Sequence, residues 1–307
     1  MPHVALAPAS RGSRLAAAAG RWEAILASRP DLEPALALQK RLLGIVVELT
    51  ETVEQRPLPR LSLPPRYLAA KLVRGTPALA GEPIPLPVAL LSPALLQLCE
   101  ALAQGGAGEA ADHIRTMIEG GQMEAGSLLS ASVSRDQHAI RTGAVHRGLS
   151  PDLVWLVAEL AVSPYVHALQ RAMFRAEDAT LRAALADWNR GYCAACGSWP
   201  ALAEVVEGHR VLRCSFCAFA WELTTYACIY CGEEGEPFVT AAPDEERKDR
   251  RVEVCGSCAG YLKTVDTPAL SPFPLLAIAD LETMDLDVAA MEHNYARPPM
   301  KEFAVRR

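Results

Sequence analysis

Between Cys193 and Cys258 the chain carries eight cysteines as four Cys-x-x-Cys pairs: Cys193/Cys196, Cys214/Cys217, Cys228/Cys231 and Cys255/Cys258. Two thiols three residues apart can face one ion, and two such pairs complete a tetrahedral thiolate site. Seventeen residues separate the first pair from the second and twenty-three separate the third from the fourth, room for a hairpin that folds one pair onto the other. The spacing predicts two four-cysteine sites, first pair with second and third with fourth, and hence two metal ions per chain. A lone Cys-x-x-Cys is also a redox dithiol, but that chemistry needs an accessible low-pKa thiol, and no βαβ pattern surrounds any of these pairs. Thiolate tetrads take iron or zinc, and the residue pattern does not separate the two.

The intervening residues supply elements that would position the thiols. Gly197 and Gly232 directly follow the first and third pairs, where a positive φ lets the backbone curl and aim its N–H groups at sulfur. Ala203–Val206 and Arg210–Leu212 flank Glu207-Gly208 and read as a hairpin. Phe238–Thr240 and Arg251–Val254 flank the charged loop 243–250 and read as a second one. Further strands are predicted after the second pair, through Phe219, Trp221 and Leu223, and after the fourth, around Tyr261 and Val265. Neither small ribbon buries enough apolar surface by itself, so metal ligation is expected to contribute much of the folding free energy.

Residues 15–190 read as helical. Trp22, Ile25 and Leu26, and then Leu38, Leu42, Ile45, Val46 and Leu49, keep helical spacing. The proline-rich stretch 57–87 reads as a surface excursion with one short helix near Tyr67–Leu72. Ser92-Pro93, Ser150-Pro151 and Ser163-Pro164 each combine a capping serine with a proline that has no N–H to leave unpaired, so each predicts a helix start. The last of these helices is expected to run to about Trp188, with Asn189-Arg190-Gly191 ending it and the domain. Cys99 lies on the apolar pattern of Leu95, Leu98 and Leu102 and reads as core. His113, His138, His146 and His167 show no ligand spacing, and no nucleotide-binding glycine motif or nucleophile elbow is present. No catalytic constellation emerges.

Several runs resemble the FdhE family, bacterial accessory proteins for respiratory formate dehydrogenase. These are Arg213-Cys-Ser-Phe-Cys217 with Trp221, Cys228-Ile-Tyr-Cys-Gly232, Arg251-Val-Glu-Val-Cys255 and Gly260-Tyr-Leu-Lys-Thr264. Cys193-Ala-Ala-Cys-Gly-Ser198 with Pro200 and the acidic Leu281–Asp287 are also similar to it. The likeness is dense over about 190–295 and loose before that. The family often has proline after the first cysteine of the first and third pairs, where this chain has Ala194 and Ile229. The resemblance implies rubredoxin-like iron, with zinc equally able to fill the cage, and a formate dehydrogenase catalytic subunit as partner.

Charge weighs against nucleic acid. Residues 191–267 carry seven basic and twelve acidic groups, whereas ribbons that hold nucleic acid present a basic face. The cluster Arg247, Lys248, Arg250 and Arg251 is interleaved with Asp244, Glu245, Glu246 and Asp249. Met1–Arg14 lacks the apolar region of a secretion signal, and no window approaches the ~18 uninterrupted apolar residues of a membrane span, the run Leu153–Val162 being broken by Glu159. The expected protein is α+β and cytoplasmic. It has a disordered 1–14, an all-α domain over 15–190, tandem rubredoxin-like or zinc-ribbon modules over 191–267, and a tail over 268–307 that packs back on the domains. The expected function is non-enzymatic: an accessory factor that holds the immature subunit on a metal-stabilised platform. A rubredoxin-like electron carrier and a zinc-ribbon nucleic-acid binder are the alternatives. Trp199, Phe219, Trp221 and Tyr261 are candidates either for anchoring the partner or for the ribbons' own core.

Overall fold

Among the described residues, every regular element up to residue 186 is a helix, in an order set by apolar stripes and caps. A computed structural model describes residues 9–59, 61, 63–175, 178–242 and 248–301. Its helices are α1 (Arg11–Ser28), α2 (Glu33–Glu54), α3 (Pro65–Val73), α4 (Val88–Leu102), α5 (Gly108–Glu119), α6 (Ala125–Val133), α7 (Gln137–His146), α8 (Pro151–Phe174) and α9 (Ala179–Ala186). Ser10, Asp136 and Asp178 each accept a backbone N–H at the start of a helix, as capping residues do. Helix α1 begins inside the stretch expected to be frayed; residues 1–8 lie outside the described residues.

Only one of the three Ser-Pro steps begins a helix. Pro151 opens α8, but Pro93 lies inside α4 and Pro164 inside α8. A proline removes one backbone hydrogen bond. At Pro164 the carbonyl left over belongs to Leu160, and Ser163 Oγ donates to it at 3.3 Å, so the serine read as a cap repairs the helix interior instead. Helix α8 also stops at Phe174, short of the expected Trp188, and Asp178 starts α9.

A single boundary at residue 190 is not what the packing gives. One compact unit comprises 9–61 and 81–171; the other comprises 63–80 and 172–301. In the first, α4 packs against α2, α5 and α6. Leu91, Leu95, Leu98 and Cys99 are fully buried there, and burial pushes the Cys99 thiol up to about 12. The run Val88–Glu119 and helix α8 are long and apolar enough to cross a membrane by length and composition alone. Core helices of soluble proteins pass the same test, and α8 is buried at most positions from Val154 to Gln170.

In the second unit the stretch around α3 is no surface excursion. Helix α3 packs on α9. Ala78 and Leu79 are buried, and their N–H groups donate to the carbonyls of Ala194 and Ala195 at 2.8 and 2.9 Å. The strands β1 (Pro200–Val206), β2 (His209–Cys214), β3 (Ala220–Trp221), β4 (Phe238–Ala241), β5 (Arg250–Cys255) and β6 (Gly260–Asp266) follow. Both expected hairpins form, β1 with β2 and β4 with β5. Leu223 lies beyond β3, and the loop residues 243–247 lie outside the described residues. The two ribbons are not separate. They share one six-stranded sheet in the order β3-β2-β1-β6-β5-β4, joined where β1 runs parallel to β6, Ala203 opposite Thr264.

One ion pair crosses between the two ribbons, and a buried one lies beside the join within the first ribbon. Arg210 on β2 donates to Glu253 on β5, Nε to Oε1 at 2.7 Å, and Thr264 Oγ1 donates to the same carboxylate at 3.0 Å. Arg213 pairs with Glu204, both buried, and Glu204 also accepts the Ser271 N–H. The tail forms α10 (Leu276–Glu282) and α11 (Met284–Glu292). Leu276 and Ala279 pack on Leu202, and Ala290 packs with Val252, Val254 and Tyr261.

Candidate metal centres

Each cysteine pair sits on a tight backbone knuckle. The residue after the second cysteine of every pair has a positive φ: Gly197 at 83°, Ala218 at 54°, Gly232 at 81° and Ala259 at 53°. The two glycines match expectation. The two alanines carry no sequence signal for this conformation and hold it at some strain, since a Cβ crowds the backbone there. The curl turns N–H groups toward sulfur: Ala195 N lies 3.4 Å from Cys193 Sγ, and Phe216 N lies 3.4 Å from Cys214 Sγ.

The hairpins then bring the pairs together as the spacing predicts. Cys193, Cys196, Cys214 and Cys217 form one cluster, and Cys228, Cys231, Cys255 and Cys258 form another; within each, all sulfurs lie within 4.8 Å of one another. Individual Sγ–Sγ separations are 3.5–3.8 Å in the first cluster and 3.6–3.7 Å in the second. A metal–sulfur bond of about 2.3 Å gives a tetrahedron with edges of about 3.8 Å, so both clusters could hold an ion with little movement. Disulfide sulfurs would be about 2.05 Å apart.

Electrostatics favour occupation. Burial pushes the thiols of Cys193 and Cys217 well above their ordinary value, and the neighbouring thiols add to the effect. Four bare thiolates do not coexist in so dry a place, whereas a bound dication removes the penalty by displacing the protons. The second cluster differs. Cys228 and Cys255 are buried, but Cys231 and Cys258 are exposed. Burial opposes ionisation of Cys255, yet hydrogen bonds from the Cys258 N–H, the Cys231 thiol, the Ser257 N–H and the Cys228 thiol together outweigh it and hold that thiol below its ordinary value. The donor set in both clusters is all sulfur, which suits iron or zinc alike.

The two centres are neighbours through aromatic rings. Tyr192, next to Cys193, meets Trp199 edge-on at 5.9 Å between centroids, and Trp199 meets Tyr230 at 5.0 Å. Tyr230 lies between Cys228 and Cys231 on the second cluster's first knuckle. Gly191 is pressed so close that a Cβ there would fall 1.8 Å from the Ile229 carbonyl oxygen. Of the four aromatic candidates for partner anchoring or ribbon core, Phe219, Trp221 and Tyr261 are buried as core; Trp199 is half-buried, its indole N–H donating to the Pro299 carbonyl at 2.9 Å. The residues that sequence reasoning missed are charged: Glu204, Arg210, Arg213, Glu253 and Lys263. Their signal was charge at inward positions of strands, which alternation alone assigns to apolar side chains.

No protein-family model matches this chain. Among curated proteins it is similar to an FdhE homolog of Aquifex aeolicus, 29% identical over 118 residues, and to one of Haemophilus influenzae, 32% identical over 120. It is also similar to FdhE of Escherichia coli, 30% identical over 119 residues. The matches cover 36–38% of this chain, and the chain spans 38–40% of the length of those relatives. The solved FdhE protein of Pseudomonas aeruginosa shares the fold, with a TM-score of 0.58, 24% identity and coverage of 97% of this chain and 96% of that one. The chain is thus similar to FdhE proteins over somewhat more than a third of its length, and it shares the fold of a solved one.

Proposed function

We propose that the protein serves the maturation of a respiratory formate dehydrogenase, holding the immature catalytic subunit on the sheet that the two metal centres stabilise. The observation that carries this reading is the pair of four-cysteine clusters set in a fold common to a solved FdhE protein. The eight cysteines act as ligands to two ions, iron or zinc. The protein works in the cytoplasm, has no turnover of its own and does not bind nucleic acid.

The test is genetic and biochemical together. In a strain lacking the native copy, the protein restores formate dehydrogenase activity and co-purifies with the catalytic subunit. A variant with Cys228→Ser and Cys231→Ser does neither, although it still accumulates through its helical unit. Full respiratory formate dehydrogenase activity in the strain without the gene overturns the reading.

One observation favours a second reading, a rubredoxin-like electron carrier: Cys231 and Cys258 bring the second centre to the surface, as electron exchange requires. A reversible one-electron wave from the iron-loaded protein, together with full formate dehydrogenase maturation in its absence, selects that reading over the first.

A further inference from the structure

Beside the second cluster lies a cavity of about 280 Å³. Its walls include the rings of Tyr192, Trp199 and Tyr230 and the knuckle residues Cys228 and Cys231. Four thiolates around one divalent ion leave a surplus of about two negative charges, so the loaded knuckle is a negative wall. Glu234 on the same lining adds to it. Arg190 is the opposing charge, and its guanidinium packs beside Gly75. Without a further cation the balance is negative, and the aromatic faces prefer positive charge as well.

The chain itself places a cation there. Lys301 lines the cavity, its Nζ 4.8 Å from the centroid of the Tyr192 ring. The segment is held in place two residues earlier, where Trp199 Nε1 donates to the Pro299 carbonyl. One hydrogen bond to an indole and one cation over a ring are what a bound basic peptide would show.

We propose that this cleft is a receptor for a lysine or arginine side chain on an extended segment of a partner polypeptide, and that Lys301 fills it while no partner is bound. The partner's side chain displaces Lys301, takes the same place over Tyr192 and lies against the loaded thiolate cluster. Only the identity of the partner rests on the accessory reading above; the chemistry of the cleft rests on its own residues.

The test uses the full-length, zinc-loaded protein and the peptide acetyl-Gly-Arg-Gly-Arg-Gly-amide, with its citrulline analogue as the neutral control, in calorimetric titration. The arginine peptide binds and the citrulline peptide does not. Lys301→Ala strengthens binding roughly fivefold, the worth of one displaced cation–π contact. Trp199→Leu, still holding two zinc ions, loses binding, and Glu234→Gln weakens it. Equal binding of both peptides, or a Lys301→Ala protein that binds no tighter than the parent, overturns the proposal. The outcomes separate from those of the maturation test. Peptide binding with normal formate dehydrogenase in the gene's absence keeps the cleft and removes the partner; lost maturation without peptide binding does the reverse.

Discussion

Lys263, whose side chain has no solvent exposure, donates from Nζ to Asp287 Oδ2 at 2.6 Å and so ties strand β6 to helix α11. Asp280 completes the pairing at 2.7 Å, and Arg297 approaches both carboxylates from outside. Removing one partner of a buried pair strands the other in a dry place. Lys263→Met is expected to destabilise the metal-loaded protein by about 3 kcal/mol, at the low end for such a break because Arg297 remains. Urea denaturation followed by tryptophan fluorescence measures it; a change within about 0.5 kcal/mol, as at an ordinary surface site, would show that the tail does not depend on this pair.

The same group sets a pH dependence. Burial opposes ionisation of Asp280, but Lys263 and Arg297 outweigh it and hold its carboxyl below the usual value. A carboxylate whose folded value is depressed stabilises the fold above its unfolded value, and that contribution is lost as pH falls through the folded one. The stability gap between the parent and Asp280→Asn is therefore full at neutral pH and closes at acid pH, below the ordinary carboxylate range. Comparing the two proteins at each pH cancels the loss of metal from protonated thiolates, which they share.

The centres differ in exposure, and their ions should leave at different rates. All four thiols of the first cluster are buried, while Cys231 and Cys258 of the second are open to solvent. A chelator in modest excess removes the second ion first, in two resolved kinetic phases. Cys193→Ser deletes the slow phase and Cys228→Ser the fast one. Elemental analysis of a single metal per intact chain would contradict both statements.

Cys99 stands apart from this chemistry. It is fully buried on α4 in the helical unit, with its thiol held neutral by burial. Cys99→Ala leaves both ions bound and lowers stability by about 1–2 kcal/mol, the ordinary result of a small core truncation. Loss of metal in this variant would place the ninth cysteine among the ligands.

Chelation should also reveal the division of the chain. With both ions removed, amide exchange accelerates through β1–β6 and also through α3 and α9, which belong to the same compact unit. Helices α1, α2 and α4–α7 keep their protection. Protection retained in α3 and α9 would instead restore the simpler boundary at residue 190.

The cysteine clusters were legible because their spacing is a local property: two thiols three apart and a hairpin's worth of chain fix the cluster before any tertiary contact is known. The union of the ribbons was not. The parallel contact of Ala203 with Thr264 crosses sixty residues, and nothing local in Ala203–Val206 distinguishes an edge strand from a central one. Its clue lay in Arg210 and Glu253, inward charges whose partners sit on different ribbons. The Ser-Pro steps misled for a related reason. A serine before a proline can cap the end of a helix or mend its middle, and only the apolar run before Ser163, long enough to be helix already, could have told the two apart.

The strand order β3-β2-β1-β6-β5-β4 is a translational repeat. The first strand of one ribbon meets the third strand of the other, so the union is head to tail and not related by a twofold axis. Such a contact is heterologous and does not close: it leaves a third-strand edge at one end and a first-strand edge at the other, complementary to each other. Left at full length, those edges would invite one molecule to extend the sheet of the next into a filament. The chain blunts one of them by shortening, because β3 has only two residues where its counterpart β6 has seven. A two-residue edge offers too little backbone to template another strand.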